Sequence, residues 1–103
     1  MIKVSVFYPN GPEAKFDMDY YCRRHIPMVQ ALVGAALKGA AVERGLNGTE
    51  PGAGPSFLAL GHLTFDSVES FEASFGAHSR EIMADIPNYT NIQPFIQISE
   101  IMI

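Results

Sequence analysis

The side chains of this sequence that can do chemistry gather in one stretch, DYYCRRHIPM, residues 19–28. Tyr20 and Tyr21 supply phenols, Cys22 a thiol, Arg23 and Arg24 positive charge, and His25 an imidazole suited to proton exchange near neutral pH. Tyr21 and His25 stand at i and i+4, so one face of a helix carries both. A general acid or base at His25 would then sit one turn from a phenol able to orient it or to donate to an oxyanion. Tyr21 and His25 are therefore the candidate catalytic pair. Pro27 lacks the N–H that would bond the carbonyl of Arg23, and it discourages helical geometry at Ile26. The sequence thus predicts a helix that kinks or restarts beside His25 and opens space there. The competing reading is that His25 only fills the kink by bonding a freed carbonyl.

Other polar residues are candidates for holding a substrate: Tyr8, Tyr20, His62 and His78. His62 falls in a strand, facing either the sheet interior or the outside. His78 lies between Phe75 and Ile82, where it could equally cap a break near Gly76. Cys22 and His25 are three apart, but no second Cys or local His pair completes a zinc spacing, so no metal is expected. Cys22 has no activating base on its own face, which argues against a thiolate nucleophile. The GAG within PGAGPS precedes no helix, so a nucleotide-phosphate loop is not expected. Asp85, just before IPNYT, reads as a cap or turn brace. Met18, Met28 and Met83 read as core filler.

The elements that must position these groups follow from periodicity. Residues 2–8 alternate, with Ile2, Val4, Val6 and Tyr8 on one side and Lys3, Ser5 and Phe7 on the other. PNGP ends that strand. Asp17 is a candidate N-cap, after which Met18, Tyr21, His25, Met28 and Leu32 fall on a helical stripe. Cys22, Ile26, Val29 and Val33 widen it, and Gly34 closes it. Residues 37–46 read as a strand, 47–56 as a Gly/Pro-rich loop and 57–65 as a strand. Ser67 caps a second helix whose stripe, Val68, Phe71, Phe75, Ile82 and Ile86, breaks near Gly76 and stops at Pro87. Residues 91–103 read as a strand throughout, with Pro94 marking an edge or bulge.

The order β-α-β-β-α-β predicts an α+β, ferredoxin-like domain over residues 1–103, with a four-stranded antiparallel sheet and both helices on one face. Both sides of the strands carry apolar residues. In the last one, Phe95, Ile101 and Ile103 oppose Ile92, Ile96, Ile98 and Met102. Covering about 600 Å² of the bare side at ~25 cal/mol per Å² would contribute on the order of 15 kcal/mol before association costs. A homodimer pairing sheet to sheet is the expected cover.

Composition excludes several partners. Hydrophobic residues make up 48% and charged residues 17%, so apolar surface hidden in an oligomer is expected. Net charge is −4 and the basic residues are scattered, which argues against nucleic acid. No run approaches the roughly 20 apolar residues of a spanning helix, and no basic amphipathic face suits a membrane surface. One cysteine allows no internal disulfide. With a start too short and too alternating for a secretory signal, the expected location is cytoplasmic.

Three segments, FDMDYYCRRHIPM, AHSREIMADIPNYTN and IQPFIQISEI, resemble the EthD family, named for a protein linked to ethyl tert-butyl ether degradation. The similarity spans nearly the whole chain. It implies a dimeric α+β barrel of two ferredoxin-like subunits, cofactor-free, with a pocket between helices and sheet. Matched onto this sequence, it makes Tyr21 and His25 pocket residues, with Tyr20 as the alternative tyrosine. Members are often labelled reductases or degradation proteins, and related barrels include cofactor-free monooxygenases, lactone isomerases, and decarboxylating or dehydrating enzymes. The chain has no nicotinamide or flavin fingerprint, so no cofactor is expected. The functional expectation is an enzyme of catabolic or secondary metabolism, oxidoreductase/monooxygenase-like or lyase/isomerase-like. Its apolar pocket of roughly 300–500 Å³ would take a small hydrophobic or aromatic molecule. The alternatives are a non-catalytic dimer that binds a hydrophobic metabolite as an accessory of a degradation pathway, and a structural dimer with a vestigial pocket.

Overall fold

The alternation at the N-terminus becomes β1 (Ile2–Pro9) in the computed structural model, which describes every residue from Met1 to Ile103. Asp17 then caps a helix, its carboxylate accepting from the Tyr20 N–H at 3.0 Å. That helix has three parts: α1 (Met18–Tyr20), a π-helical turn (Tyr21–His25) and α2 (Ile26–Val33). It ends where Gly34 takes φ 71°, a conformation that suits glycine. Next come β2 (Gly39–Arg44) and β3 (Phe57–Phe65). The Ser67 hydroxyl caps α3 (Val68–Gly76), and α4 (Ser79–Ala84) follows after a break. A 3₁₀ turn (Ile86–Asn88) carries Pro87, and β4 (Phe95–Glu100) closes the fold. The strands form one antiparallel sheet in the order β2-β3-β1-β4. This is the ferredoxin-like arrangement that the element order implies.

Strand alternation decides what the helices cover. Ile2, Val4, Leu63 and Phe65 pack on Val29 and Val33 of α2 and on Ile82 of α4. Burying each aliphatic side chain there contributes about 1.5–3 kcal/mol. At the other end of the same face, Tyr8, Tyr21, Ala59 and Tyr89 form a second, aromatic cluster. The functional residues grow from this aromatic end.

Four expectations change. The helix does not kink at Pro27. Ile26 keeps helical φ −62° and ψ −44°, and its N–H reaches back to the Tyr21 carbonyl. The turn widens by one residue, which absorbs the proline's missing N–H without breaking the helix. Cys22 is exposed rather than part of the buried stripe; its Sγ donates to Met18 Sδ at 3.6 Å. Residues 91–94 and 101–103 are not strand, since β4 ends at Glu100 and begins only after Pro94.

Finally, the second sheet face is divided. Phe7, Leu60 and Phe95 share one row of the register. A bulge opposite Tyr8 and Pro9 turns Phe57 onto that face, 5.5 Å from Phe7. The next row is polar: His62 bridges Ser5 and Glu43, both at 2.9 Å. On β4 the exposed apolar residues divide between the faces: Phe95, 66% exposed, joins Phe7 on the open face, whereas Ile96 and Ile98, 51% and 42% exposed, stand beside Val6 and Val4 on the helix side. No helix is long and apolar enough to cross a membrane.

Candidate functional site

His25 leaves the π-helical turn pointing toward the sheet and is only 5% exposed. Its Nδ1 lies 2.9 Å from Oδ2 of Asp85, a residue at the end of α4. The other Asp85 oxygen accepts from the Tyr20 hydroxyl at 2.7 Å and from the Asn88 amide at 2.9 Å. On the far side of the imidazole, Nε2 stands 3.5 Å from the Tyr89 hydroxyl, which is 2.7 Å from the Tyr8 hydroxyl. Tyr21 stacks on the imidazole, ring centroids 5.5 Å apart at 14°.

An ionised carboxylate can only accept, so Asp85 sets the sense of the whole chain. Facing Asp85, Nδ1 carries the proton and donates. Nε2 is then the lone pair, so Tyr89 donates to it, and Tyr8 donates to Tyr89. Burial pushes the Asp85 carboxyl up, but the hydrogen bonds from Asn88, His25 and Tyr20 together outweigh it and hold the group below its usual value. Burial lowers His25 below its ordinary 6.5, and the Asp85 hydrogen bond offsets that only in part. Burial likewise drives Tyr8, Tyr21 and Tyr89 far above the ordinary phenol range, so all three stay neutral donors.

The Tyr21 hydroxyl comes to rest against Gly61 of β3. A Cβ at residue 61 would collide with it, so this strand position has to be bare. Tyr21, His25, Tyr8 and Gly61 face a cavity otherwise walled by aliphatic and aromatic groups such as Val6, Val29 and Phe75. It has about 40 Å³ of room for water-sized groups, enough for a few waters, within about 450 Å³ of empty space that includes open solvent. The expected pocket size is reached only when that open solvent is counted.

The structure brings His25, Tyr21 and Tyr8 together around the cavity. Tyr20 does not line it and acts through Asp85. His62 lies on the opposite face of the sheet, paired with Ser5 and Glu43. His78 stands at the break between α3 and α4 but makes no capping bond; its Nδ1 is 3.7 Å from Glu81. Neither histidine joins His25. Sequence reasoning missed Asp85 and Tyr89 as members of the site, and Gly61 as its cradle. For the first two, the available signal was the segment AHSREIMADIPNYTN, where an acid and a phenol flank a Pro turn. No cluster of three or more His, Cys, Asp or Glu side chains is arranged to hold a metal ion.

A neutral, buried imidazole at the wall of an apolar cavity, its Nε2 held only by the long 3.5 Å contact to Tyr89, can take up a proton, and the carboxylate behind it steadies the resulting cation. Among known proteins, no curated one matches this chain. A crystal structure of an EthD-like protein from Ralstonia eutropha JMP134 is 48% identical, covering 99% of this chain and 92% of that one, with a TM-score of 0.95. An ethyl tert-butyl ether degradation (EthD) family protein from Bacillus halodurans C-125 is 20% identical over 99% of both chains, TM-score 0.69. A dimeric ferredoxin-like protein from an uncultured marine organism shares the fold at 8% identity, covering 100% of this chain and 96% of that one, TM-score 0.55. The EthD domain matches residues 11–93, across the first helix, β2, β3 and the turn that carries Asp85 and Tyr89, and the chain belongs to the EthD family.

Proposed function

We propose that this protein is a small-molecule enzyme of the EthD type that works by proton transfer. His25, held by Asp85, removes a proton from a small apolar substrate in the cavity and returns it. One observation carries this reading: the imidazole is buried, hydrogen-bonded through Nδ1 to the Asp85 carboxylate at 2.9 Å, and part of the wall of an apolar cavity. Neutral phenols around it keep the site free of competing charge. The reading requires no redox partner, and it agrees with a degradative role for the family.

The working unit in this proposal is a homodimer. Support comes from the apolar residues left bare on β4, from the Phe7–Phe57–Phe95 patch on the open face, and from the dimeric state of the marine ferredoxin-like relative.

The test is hydrogen exchange. The protein is incubated in D₂O with a panel of small aromatic ketones, phenols and ethers, and deuterium uptake is read by NMR. At least one compound is expected to exchange, and His25→Gln is expected to slow that exchange by about 10²-fold or more, with the thermal midpoint retained. Asp85→Asn should slow it less. Ligand-induced stabilisation without any exchange would instead favour a binding dimer, a reading that the apolar walls alone would satisfy.

A further inference from the structure

As a base, His25 has its lone pair already engaged. The Tyr89 hydroxyl faces Nε2 at 3.5 Å, and Nδ1 is committed to Asp85. Tyr89 is only 3% exposed and takes no part in the cavity wall, whereas Tyr8, Tyr21 and His25 belong to it. A proton bound for Nε2 must therefore displace Tyr89 or come through it.

The phenols form a row with one sense. Tyr21 donates to the Tyr8 oxygen. Tyr8 donates to Tyr89 at 2.7 Å, and Tyr89 donates to Nε2. Behind the ring, Nδ1 donates to Asp85, whose other oxygen accepts from Tyr20. Tyr8 and Tyr89 each give one proton and receive one. Tyr21 only gives: no protein group donates to its oxygen. That oxygen rests against Gly61, itself part of the cavity wall, so the row begins at the cavity and ends on the base. Chains of this kind polarise one another and can pass protons along their length.

We propose that this row is the path by which protons reach His25: the substrate gives its proton to the Tyr21 oxygen, and each phenol hands its own proton to the next until that of Tyr89 lands on Nε2. The inference rests on the proton-transfer reading above. In the step, a C–H bond of the substrate breaks and its electron pair stays on the substrate. Every proton of the row moves one place, and the last forms the Nε2–H bond. No phenol gains or loses charge, which suits groups that burial keeps neutral. The row then runs in the opposite sense. The Tyr21 hydroxyl, holding the substrate's proton, faces the new anion, and Asp85 faces the imidazolium. Return of the proton restores the first sense, so no oxidant or reductant is consumed.

Tyr89 is the decisive residue, because it lies in the row and away from the substrate. The probes are aromatic ketones of the panel above, acetophenone first, deuterated beside the carbonyl. Loss of label is followed by NMR, and affinity is measured by calorimetry. Tyr89→Phe should slow the loss by about 10²-fold and leave affinity within about twofold. Direct transfer to His25 demands the reverse, since the variant uncovers Nε2, so label loss that is unchanged or faster would overturn the inference. In the unsubstituted protein, the rate in mixtures of H₂O and D₂O gives a readout that does not depend on a variant folding. Several protons moving together bend the plot of rate against deuterium fraction, the expected result. A straight line, the mark of a single proton, would also overturn the inference. Both contrary outcomes leave the His25 reading standing if His25→Gln still stops the exchange. Ketones that lose label no faster than in buffer would remove the row as a path, and the rest of the panel then decides the His25 reading.

Discussion

His25 and Asp85 tie the stability of the fold to pH in one direction. Burial holds the His25 pKa below 6.5, so protonating it costs the folded state more than the unfolded one. The stabilisation is complete above pH 6.5 and is lost as pH falls through the depressed value. The Asp85 pKa lies below 3.8, so its share is lost further down, as the carboxylate protonates. Thermal melts should therefore give a level midpoint above pH 6.5 and a steady decline below it, and His25→Gln should flatten the first part of that decline. A midpoint that rises on mild acidification would contradict this assignment. At this scale, the sequence disclosed what was close in the chain. Tyr21 and His25 share a helix face by simple spacing, so they could be paired at once. Asp85 and Tyr89 reach His25 from 60 and 64 residues away, through the docking of one helical segment on another, and no local period reports that.

Between elements, the π-helical turn and the bare position at Gly61 do one job together. The turn carries Tyr21 and His25 toward β3, and the strand offers no side chain where the phenol arrives. Gly61→Ala should destabilise the protein by about 1–3 kcal/mol, measured by urea unfolding, because the methyl group must displace a packed ring. The same substitution should slow the His25-dependent exchange even where the protein stays folded. Pro27 was legible as a disturbance but not as its outcome. Proline removes one hydrogen bond, and whether the chain then bends or widens depends on what packs beside it, which here is the Tyr8–Tyr89 aromatic cluster. The last strand came out short for a similar reason. Alternation marks residues that could pair, but pairing needs a partner opposite, and β1 supplies one only from Phe95 to Glu100.

Across the whole molecule, the element order was readable because each switch between two-residue and helical periodicity came with a cap or turn: Asp17, Gly34 and Ser67 all sit where their side chains or dihedrals require. The face argument was readable only in outline. Both sides of the sheet carry apolar residues, but the Ser5–His62–Glu43 array occupies the middle of the open side, and the bare apolar surface lies toward β4. If β4 and the Phe7 patch meet a second copy, Phe95→Asp should shift the protein to monomer at micromolar concentration in sedimentation equilibrium. Thr64→Asp, on the same face but two rows away from the patch, should disturb assembly less. A single monomeric species before any substitution would end the dimer proposal.

The one-way chain of donors that ends on Asp85 has a counterpart in frozen water. In ordinary ice each oxygen keeps its neighbours while the protons between them choose sides, and a disorder persists that cooling does not remove. Tyr8, Tyr89 and the imidazole could be threaded in either sense just as well, were it not for a fixed anion at one end. A single carboxylate thereby removes a twofold ambiguity from a row of groups reaching across the aromatic cluster, and the lone pair points the same way in every molecule of the population.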